Sequence, residues 1–243
     1  MNRVLKFFGA ILLGMFGAAL FEFAVLPIVG STALVTRFPL LGRLTSRTTV
    51  VNQTRRVTIT EETALTEGLN RLRPVLVTIE ARRGGEIVGQ GSGFIATADG
   101  LLITSAALIS PGAELTAFYR EQSWVAQVVS VDSARGLALL RVPAVNLPVV
   151  ELRRFDELEL GERVFLAGIE RRAGVATVFV SDGIVSRLRD DGFMVSIRVG
   201  REPVVGSVVA TLGGAVAAVV ESASDDGLAL VDTRAVADML AKR

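Results

Sequence analysis

Serine and threonine hydroxyls are the main nucleophilic side chains of this 243-residue sequence, because cysteine is absent. A serine hydroxyl becomes a good nucleophile only when a positioned base takes its proton. Histidine, the usual base, is absent as well, and the two lysines, Lys6 and Lys242, lie near opposite ends of the chain. The composition therefore argues against Ser-His, Cys-His and Ser-Lys catalysis.

Metal and phosphate sites find little support in the residue types. Without histidine or cysteine, only carboxylates remain as ligands, and these suit hard cations. Asp190-Asp191 and Asp225-Asp226 each precede a glycine, which is typical of hairpin turns rather than calcium loops. The glycine-rich run Gly89–Gly93 lacks a following Gly-Lys-Ser/Thr, which favours a strand-entry turn over a phosphate loop. We predict no metal and no cofactor.

The overall composition is that of a folded domain with no bias toward nucleic acid. Half of the residues are hydrophobic and 21% are charged, so the chain can bury a core. The net charge of +1 provides no general attraction for a polyanion. We therefore do not expect a nucleic-acid partner.

One segment near the N-terminus predicts a membrane anchor. Phe7 to Val29 is apolar except for Glu22, and about 20 such residues span a bilayer as a helix. This run is longer than the apolar part of a cleaved signal peptide, which favours an uncleaved anchor, although the small residues at 31–33 leave cleavage open. Arginine or lysine occurs on both sides, so charge does not decide the orientation.

Three regions are predicted along the chain. Residues 1–30 form the anchor, and residues 31–66 form a juxtamembrane linker that includes a strand-like stretch at 56–59. A short helix is predicted after Thr60, which suits a helix N-cap, and its apolar face is formed by Leu65, Leu69 and Leu72. Residues 67–243 form the globular domain.

The globular domain is predicted to be mostly β. From Pro74 onward, short runs of Val, Ile, Leu and Thr alternate with glycine-containing turns, and they fall into two groups of about six. Two antiparallel six-stranded barrels, at about 74–145 and 160–232, accommodate them. A C-terminal helix at 233–242 follows, with Asp232 or Thr233 as its cap.

Four segments, in this order, resemble the trypsin-like serine protease domain of the Deg/HtrA type: GQGSGFIATADGLLIT (89–104), VVSVDSARGLALLRV (128–142), FDELELGERVFLAG (155–168) and SDGIVSRLRD (181–190). The resemblance covers about Glu67 to Leu240 and implies a trypsin-like double barrel. It also implies an extracytoplasmic location for the domain.

The catalytic positions that the resemblance implies hold other residues here. The family's Thr-Asn-x-His-Val reads Thr-Ser-Ala-Ala-Leu at 104–108, which places the histidine at Ala107. The aspartate of Asp-Leu-Ala-Leu falls at Gly136, and the serine of Gly-Asn-Ser-Gly-Gly falls at Val205. The first glycine of that motif supplies an oxyanion donor in the family and corresponds to Pro203, which has no N–H.

These observations predict a membrane-anchored, catalytically inactive trypsin-like domain that binds extended peptides or unfolded protein. Two alternatives stay open at this point. One is a residual hydrolase that uses Ser207 or Ser105 with a carboxylate partner. The other is a non-catalytic partner of an active, histidine-bearing paralogue.

Overall fold

A computed structural model describes Met15, Phe21 and residues 61–189, 192–200, 202–224 and 227–242. The predicted anchor, apart from Met15 and Phe21, lies outside the described residues, and so do the linker strand, the Thr60 cap and both Asp-Asp pairs. Of the helices in the described ranges, none has the length and apolar character needed to cross a membrane.

The described part of the domain begins with the predicted short helix. Helix α1 spans Glu61–Leu72 and is followed by a 3-10 turn at Arg73–Val75. Pro74 falls at the start of that turn, where a missing backbone N–H removes no helical hydrogen bond. Leu65, Leu69 and Leu72 pack on the core, as predicted for one apolar face. The helix crosses the boundary that was placed between residues 66 and 67.

The first sheet closes into an antiparallel barrel in the order β1-β2-β3-β6-β5-β4. Its strands are β1 (Leu76–Arg83), β2 (Glu86–Ile95), β3 (Leu101–Ser105), β4 (Glu114–Tyr119), β5 (Gln122–Asp132) and β6 (Leu137–Arg141). Strand β3 is buried at all five positions and β6 at four of its five, which explains the uninterrupted apolar runs Leu101–Ile103 and Leu137–Leu140.

The second sheet also has six strands, in the order β12-β11-β10-β7-β8-β9. They are β7 (Arg163–Arg172), β8 (Val175–Arg189), β9 (Gly192–Ile197), β10 (Val208–Thr211), β11 (Val216–Ser224) and β12 (Gly227–Asp232). The prediction of two six-stranded groups is confirmed. The second group is barrel-like, but β9 and β12 end its hydrogen-bonded ladder within the described residues.

The domain ends in a short helix. Helix α2 spans Thr233–Ala241, and the Asp232 side chain accepts hydrogen bonds from the N–H groups of Arg234 and Ala235. Asp232 is therefore the cap, while the Thr233 hydroxyl donates to the carbonyl of Arg153 at 2.7 Å. This second bond ties the start of the helix to the segment that connects the two sheets.

Candidate functional site

The segment that carries Ala107 is held by backbone and hydroxyl contacts. Ala107 lies in a 3-10 turn, Ala106–Leu108, directly after β3. The buried Ser105 hydroxyl accepts a hydrogen bond from the Ala107 N–H at 3.1 Å and donates to the carbonyl of Glu221 at 3.0 Å. The turn is thereby fixed between the first barrel and β11.

Gly136 lies in the turn between β5 and β6, beside the same segment. Its carbonyl accepts a hydrogen bond from the Ala106 N–H at 2.9 Å. Its φ of +70° belongs to the left-handed region, which glycine enters at little cost. A Cβ at this position would meet the Glu221 side chain, with Oε1 only 2.6 Å away. The Glu221 side chain thus occupies the space into which a side chain at 136 would extend.

Val205 lies in a tight turn that leads into β10. The Ser207 N–H donates to the carbonyl of Val204 at 2.9 Å and closes the turn, and Gly206 has a φ of +76° within it. The Gly206 N–H donates to the carbonyl of Val220 at 2.8 Å, which ties the turn to β11. Val205 itself packs against the larger apolar core.

Strand β2 connects these three segments. The Ser92 N–H donates to the carbonyl of Val205 at 2.9 Å. A Cβ on the neighbouring Gly91 would lie 2.5 Å from that carbonyl oxygen and 2.8 Å from Leu108 Cδ1. Because Leu108 follows Ala107 and Gly136 bonds to Ala106, the segments carrying Ala107, Gly136 and Val205 all meet where the first barrel packs against the second sheet.

The backbone N–H groups that follow Val205 are hydrogen-bonded within the protein. Pro203, two residues earlier, has no N–H to donate. The N–H groups of Gly206 and Ser207 both donate to backbone carbonyls. A valine side chain has no nucleophilic atom, so position 205 offers an apolar surface and no group that could attack a carbonyl.

The two serines of the residual-hydrolase alternative are engaged in structural hydrogen bonds. Ser207 is fully buried, and its hydroxyl donates to the Ser92 hydroxyl at 3.3 Å. The Ser92 hydroxyl also accepts from the Ile169 N–H at 2.9 Å and donates to its carbonyl at 3.2 Å. Ser105 donates to the carbonyl of Glu221. Both hydroxyl protons therefore go to oxygens that are not general bases.

Sequence reasoning missed Glu221. The register of β11 with β12 shifts between Val220 and Ser222, so Glu221 is the extra residue of a β-bulge. Bulges re-aim side chains and are common next to active sites. The available signal was a carboxylate directly after the apolar run Ala215–Val220.

The clearest electrostatic perturbation lies at Asp156, in the 3-10 turn Phe155–Glu157. A hydrogen bond from the Arg154 guanidinium lowers the pKa of the Asp156 carboxyl from its ordinary 3.8 to about 2. Arg234 of α2 also contacts this carboxylate, at 2.8 Å. The described residues hold no group of three or more carboxylates arranged for a metal ion.

Comparison with known proteins finds relatives that are all trypsin-like peptidases or serine proteases. The trypsin-like peptidase domain family matches residues 91–227, which is more than half of the chain. A Synechocystis protein named as a serine protease, HhoB, is 33% identical over 81 residues, which are 33% of this chain and 20% of that protein.

Two further relatives match over a similar share of their length. A DegP-like periplasmic serine endoprotease of Ectopseudomonas mendocina is 34% identical over 87 residues, 35% of this chain and 18% of its own. Serine protease HTRA1 of Xenopus laevis is 34% identical over 110 residues, 44% and 23% of the two chains. The matches thus span about a fifth of each relative. This chain belongs to the trypsin-like peptidase domain family and is of the Deg/HtrA type.

Proposed function

We propose that this chain is a catalytically inactive trypsin-like domain that binds extended peptides or unfolded protein. The proposed inactivity is supported by the types of residue at the positions that the resemblance assigns to the family's catalytic groups. Ala107 has no basic atom, Gly136 has no side chain and Val205 has no nucleophile. The fully buried Ser207 cannot replace them without leaving its bond to Ser92.

The binding proposal rests on an unpaired strand edge that lies next to the segments of Ala107, Gly136 and Val205. Strand β11 pairs with β12 as far as Ser224, but with β10 only between Val216 and Val219. Residues 222–224 are exposed, and in the described ranges no strand pairs with their other edge. An extended peptide can add to such an edge through main-chain hydrogen bonds.

We further propose that the domain lies outside the cytoplasm on a membrane anchor. The anchor rests on the apolar stretch Phe7–Val29. The location is supported by the DegP-like relatives, whose names describe them as periplasmic. Fractionation of cells that express the full chain, followed by protease treatment of spheroplasts, tests both points. Recovery of the chain in the soluble cytoplasmic fraction would contradict them.

Peptide titration tests the binding role. Fluorescently labelled ten-residue peptides in extended conformation should bind the full chain saturably, as measured by fluorescence anisotropy. The matched control is the same peptide with alternate backbone amides N-methylated, which removes the N–H donors that strand addition needs. Equal binding of the two peptides would rule out strand addition, and a flat response to both would end the binding proposal.

A residual hydrolase is the second candidate, and it is favoured by the names of the relatives as serine proteases. Casein turnover and labelling by a fluorophosphonate probe test it. Labelling that disappears in Ser207→Ala or Ser105→Ala would identify a working serine and overturn the proposed inactivity. Co-purification with a histidine-bearing paralogue, together with weak peptide binding by the chain alone, would instead indicate a role as a non-catalytic partner.

A further inference from the structure

Glu221 has an unusual setting for a charged side chain. It is the bulged residue of β11, it is partly buried, and its carboxylate lies against the backbone of Gly136. Its own carbonyl is held by the Ser105 hydroxyl at 3.0 Å. The backbone of Glu221 is thus fixed, and the side chain has limited freedom because the Gly136 turn lies against it.

Glu221 lines a cleft of 480 Å³ between the β5–β6 turn, β12 and the start of α2. The walls of this cleft are partly apolar, through Leu230, Val231 and Ala235. A cleft with a carboxylate and apolar walls suits an arginine or lysine side chain, which is an alkyl stem with a cationic end.

The other charged groups of the cleft are already paired. Arg135 contacts Asp238 at 3.0 Å and Asp132 at 3.8 Å. Arg234 contacts Asp156 at 2.8 Å. These ion pairs leave neither arginine as an unmatched positive charge in the cleft, so a bound cation would not face uncompensated repulsion.

The carboxylates of Asp232 and Glu221 differ in whether they have hydrogen-bond partners. Asp232 is occupied as the cap of α2. In contrast, no hydrogen bond or ion pair from any described residue reaches the Glu221 carboxylate. Glu221 is therefore the carboxylate of the cleft that has neither a hydrogen-bond donor nor a cationic partner among the described residues, and it lies at a fixed place next to the backbone.

We propose that the Glu221 cleft recognises a basic side chain of the bound peptide, with the carboxylate accepting hydrogen bonds from a guanidinium or ammonium group. Such charge-assisted pairs are the stronger class of hydrogen bond, and partial burial of the carboxylate strengthens them. Glu221 directly precedes the free edge at residues 222–224, so a peptide on that edge passes close to the cleft. The inference rests on the proposed peptide binding and assigns a sequence preference to it.

The test compares two labelled peptides that differ only in a central arginine or citrulline, which have similar shapes but different charge. The full chain should bind the arginine peptide about tenfold more tightly, since about 1.4 kcal/mol is a reasonable net value for one charged hydrogen bond. Glu221→Gln should remove this preference, so that the variant binds the arginine and citrulline peptides equally. Glu121→Gln, at an exposed glutamate in the β4–β5 turn, is the matched control and should retain the preference.

The outcomes separate this inference from the proposed function. If both peptides bind the full chain equally, or if Glu221→Gln keeps the preference, the cation site is wrong while peptide binding stands. If neither peptide binds, peptide binding is wrong, and agmatine then tests the cleft alone through the NMR shift of the Gly136 amide. A shift change that Glu221→Gln abolishes supports a cation site, and the absence of any shift change overturns it.

Discussion

The two six-stranded sheets are similar in topology but differ in how completely they are closed. Every strand of the first sheet has a neighbour on both sides, because the barrel closes through the pairing of β1 with β4. In the second sheet, β9 and β12 are end strands within the described residues. Closure satisfies every strand edge and favours stability, whereas open edges leave backbone groups that a ligand can use.

The two sheets also divide the candidate site. Ala107 and Gly136 lie in turns of the first sheet, and Val205 lies in the turn that leads into β10 of the second. The Ser92 hydroxyl joins them through its two hydrogen bonds to Ile169 of β7. The proposed binding edge at residues 222–224 of β11 also belongs to the second sheet, where β10 is too short to cover it.

The largest effect is expected from matched core truncations. Leu139 of β6 and Leu166 of β7 are both almost fully buried, one in each core. We expect Leu139→Ala and Leu166→Ala each to lower the free energy of unfolding by about 3 kcal/mol. Denaturant unfolding followed by the fluorescence of Trp124, which lies in the first sheet, measures both.

This pair also tests whether the sheets unfold together. If they form one cooperative unit, the Trp124 transition shifts in both variants. A Leu166→Ala variant that loses circular dichroism signal while the Trp124 midpoint stays unchanged would show that the second sheet unfolds alone.

The next effect comes from a matched pair of glycines with positive φ. Gly206 has a φ of +76° and Gly112 a φ of +71°. A Cβ on Gly206 would collide with the Ser92 carbonyl oxygen, whereas nothing lies within 4 Å of one on Gly112. We expect Gly112→Ala to cost about 1 kcal/mol, and Gly206→Ala to cost about 2 kcal/mol more because of overpacking.

Thermal and denaturant unfolding of the two alanine variants measure this difference. Equal destabilisation by both substitutions would mean that the Val204–Ser207 turn can move away from β2. The contact between the two sheets at this point would then be looser than the structure indicates.

A smaller effect is expected at the hydroxyl bridge. Ser92→Ala leaves the Ile169 N–H without its partner and should destabilise the protein by about 1.5 kcal/mol. Ser207→Ala removes only the bond to the Ser92 hydroxyl and should cost about 0.5 kcal/mol. Chemical denaturation provides both values, and a larger loss for Ser207→Ala would contradict the central role of Ser92.

The smallest effect concerns acid stability at Asp156, on the segment between the sheets. Because folding lowers the pKa of this carboxyl to about 2, its contribution to stability is present above pH 3.8 and is lost as the pH falls toward 2. We expect Asp156→Asn to flatten the fall of the melting temperature across that window. Glu121→Gln is the control, and an unchanged profile in Asp156→Asn would contradict the expected role of Asp156.

Much of the fold followed from local patterns. The apolar spacing of Leu65, Leu69 and Leu72 predicted α1, and the glycine-punctuated apolar runs predicted the two groups of strands. The prediction was wrong at Gly89–Gly93, which was expected to form a strand-entry turn but lies inside β2, a strand that begins at Glu86. The exposed start of this strand lacks a buried apolar face, so local sequence carries little signal there.

The candidate site was only partly accessible from sequence. The resemblance pointed to Ala107, Gly136, Val205 and Pro203, and these assignments remain predictions. The sequence did not predict Glu221 as a site residue, because its position depends on a register shift in β11 and on a contact with Gly136, 85 positions earlier. Local patterns contain no information about such a contact.

The residue types alone determined which nucleophiles, bases and metal ligands the chain contains, because these groups are side chains. The sequence therefore determined that no histidine or cysteine is available. That the family's catalytic positions hold alanine, glycine and valine is a prediction from the resemblance. Only the tertiary structure decided that the segments carrying these residues meet at β2, that Ser207 is buried and that Glu221 lies over Gly136. The physical reason is that burial and long-range contacts depend on how strands pair and pack, which side-chain types do not specify one by one.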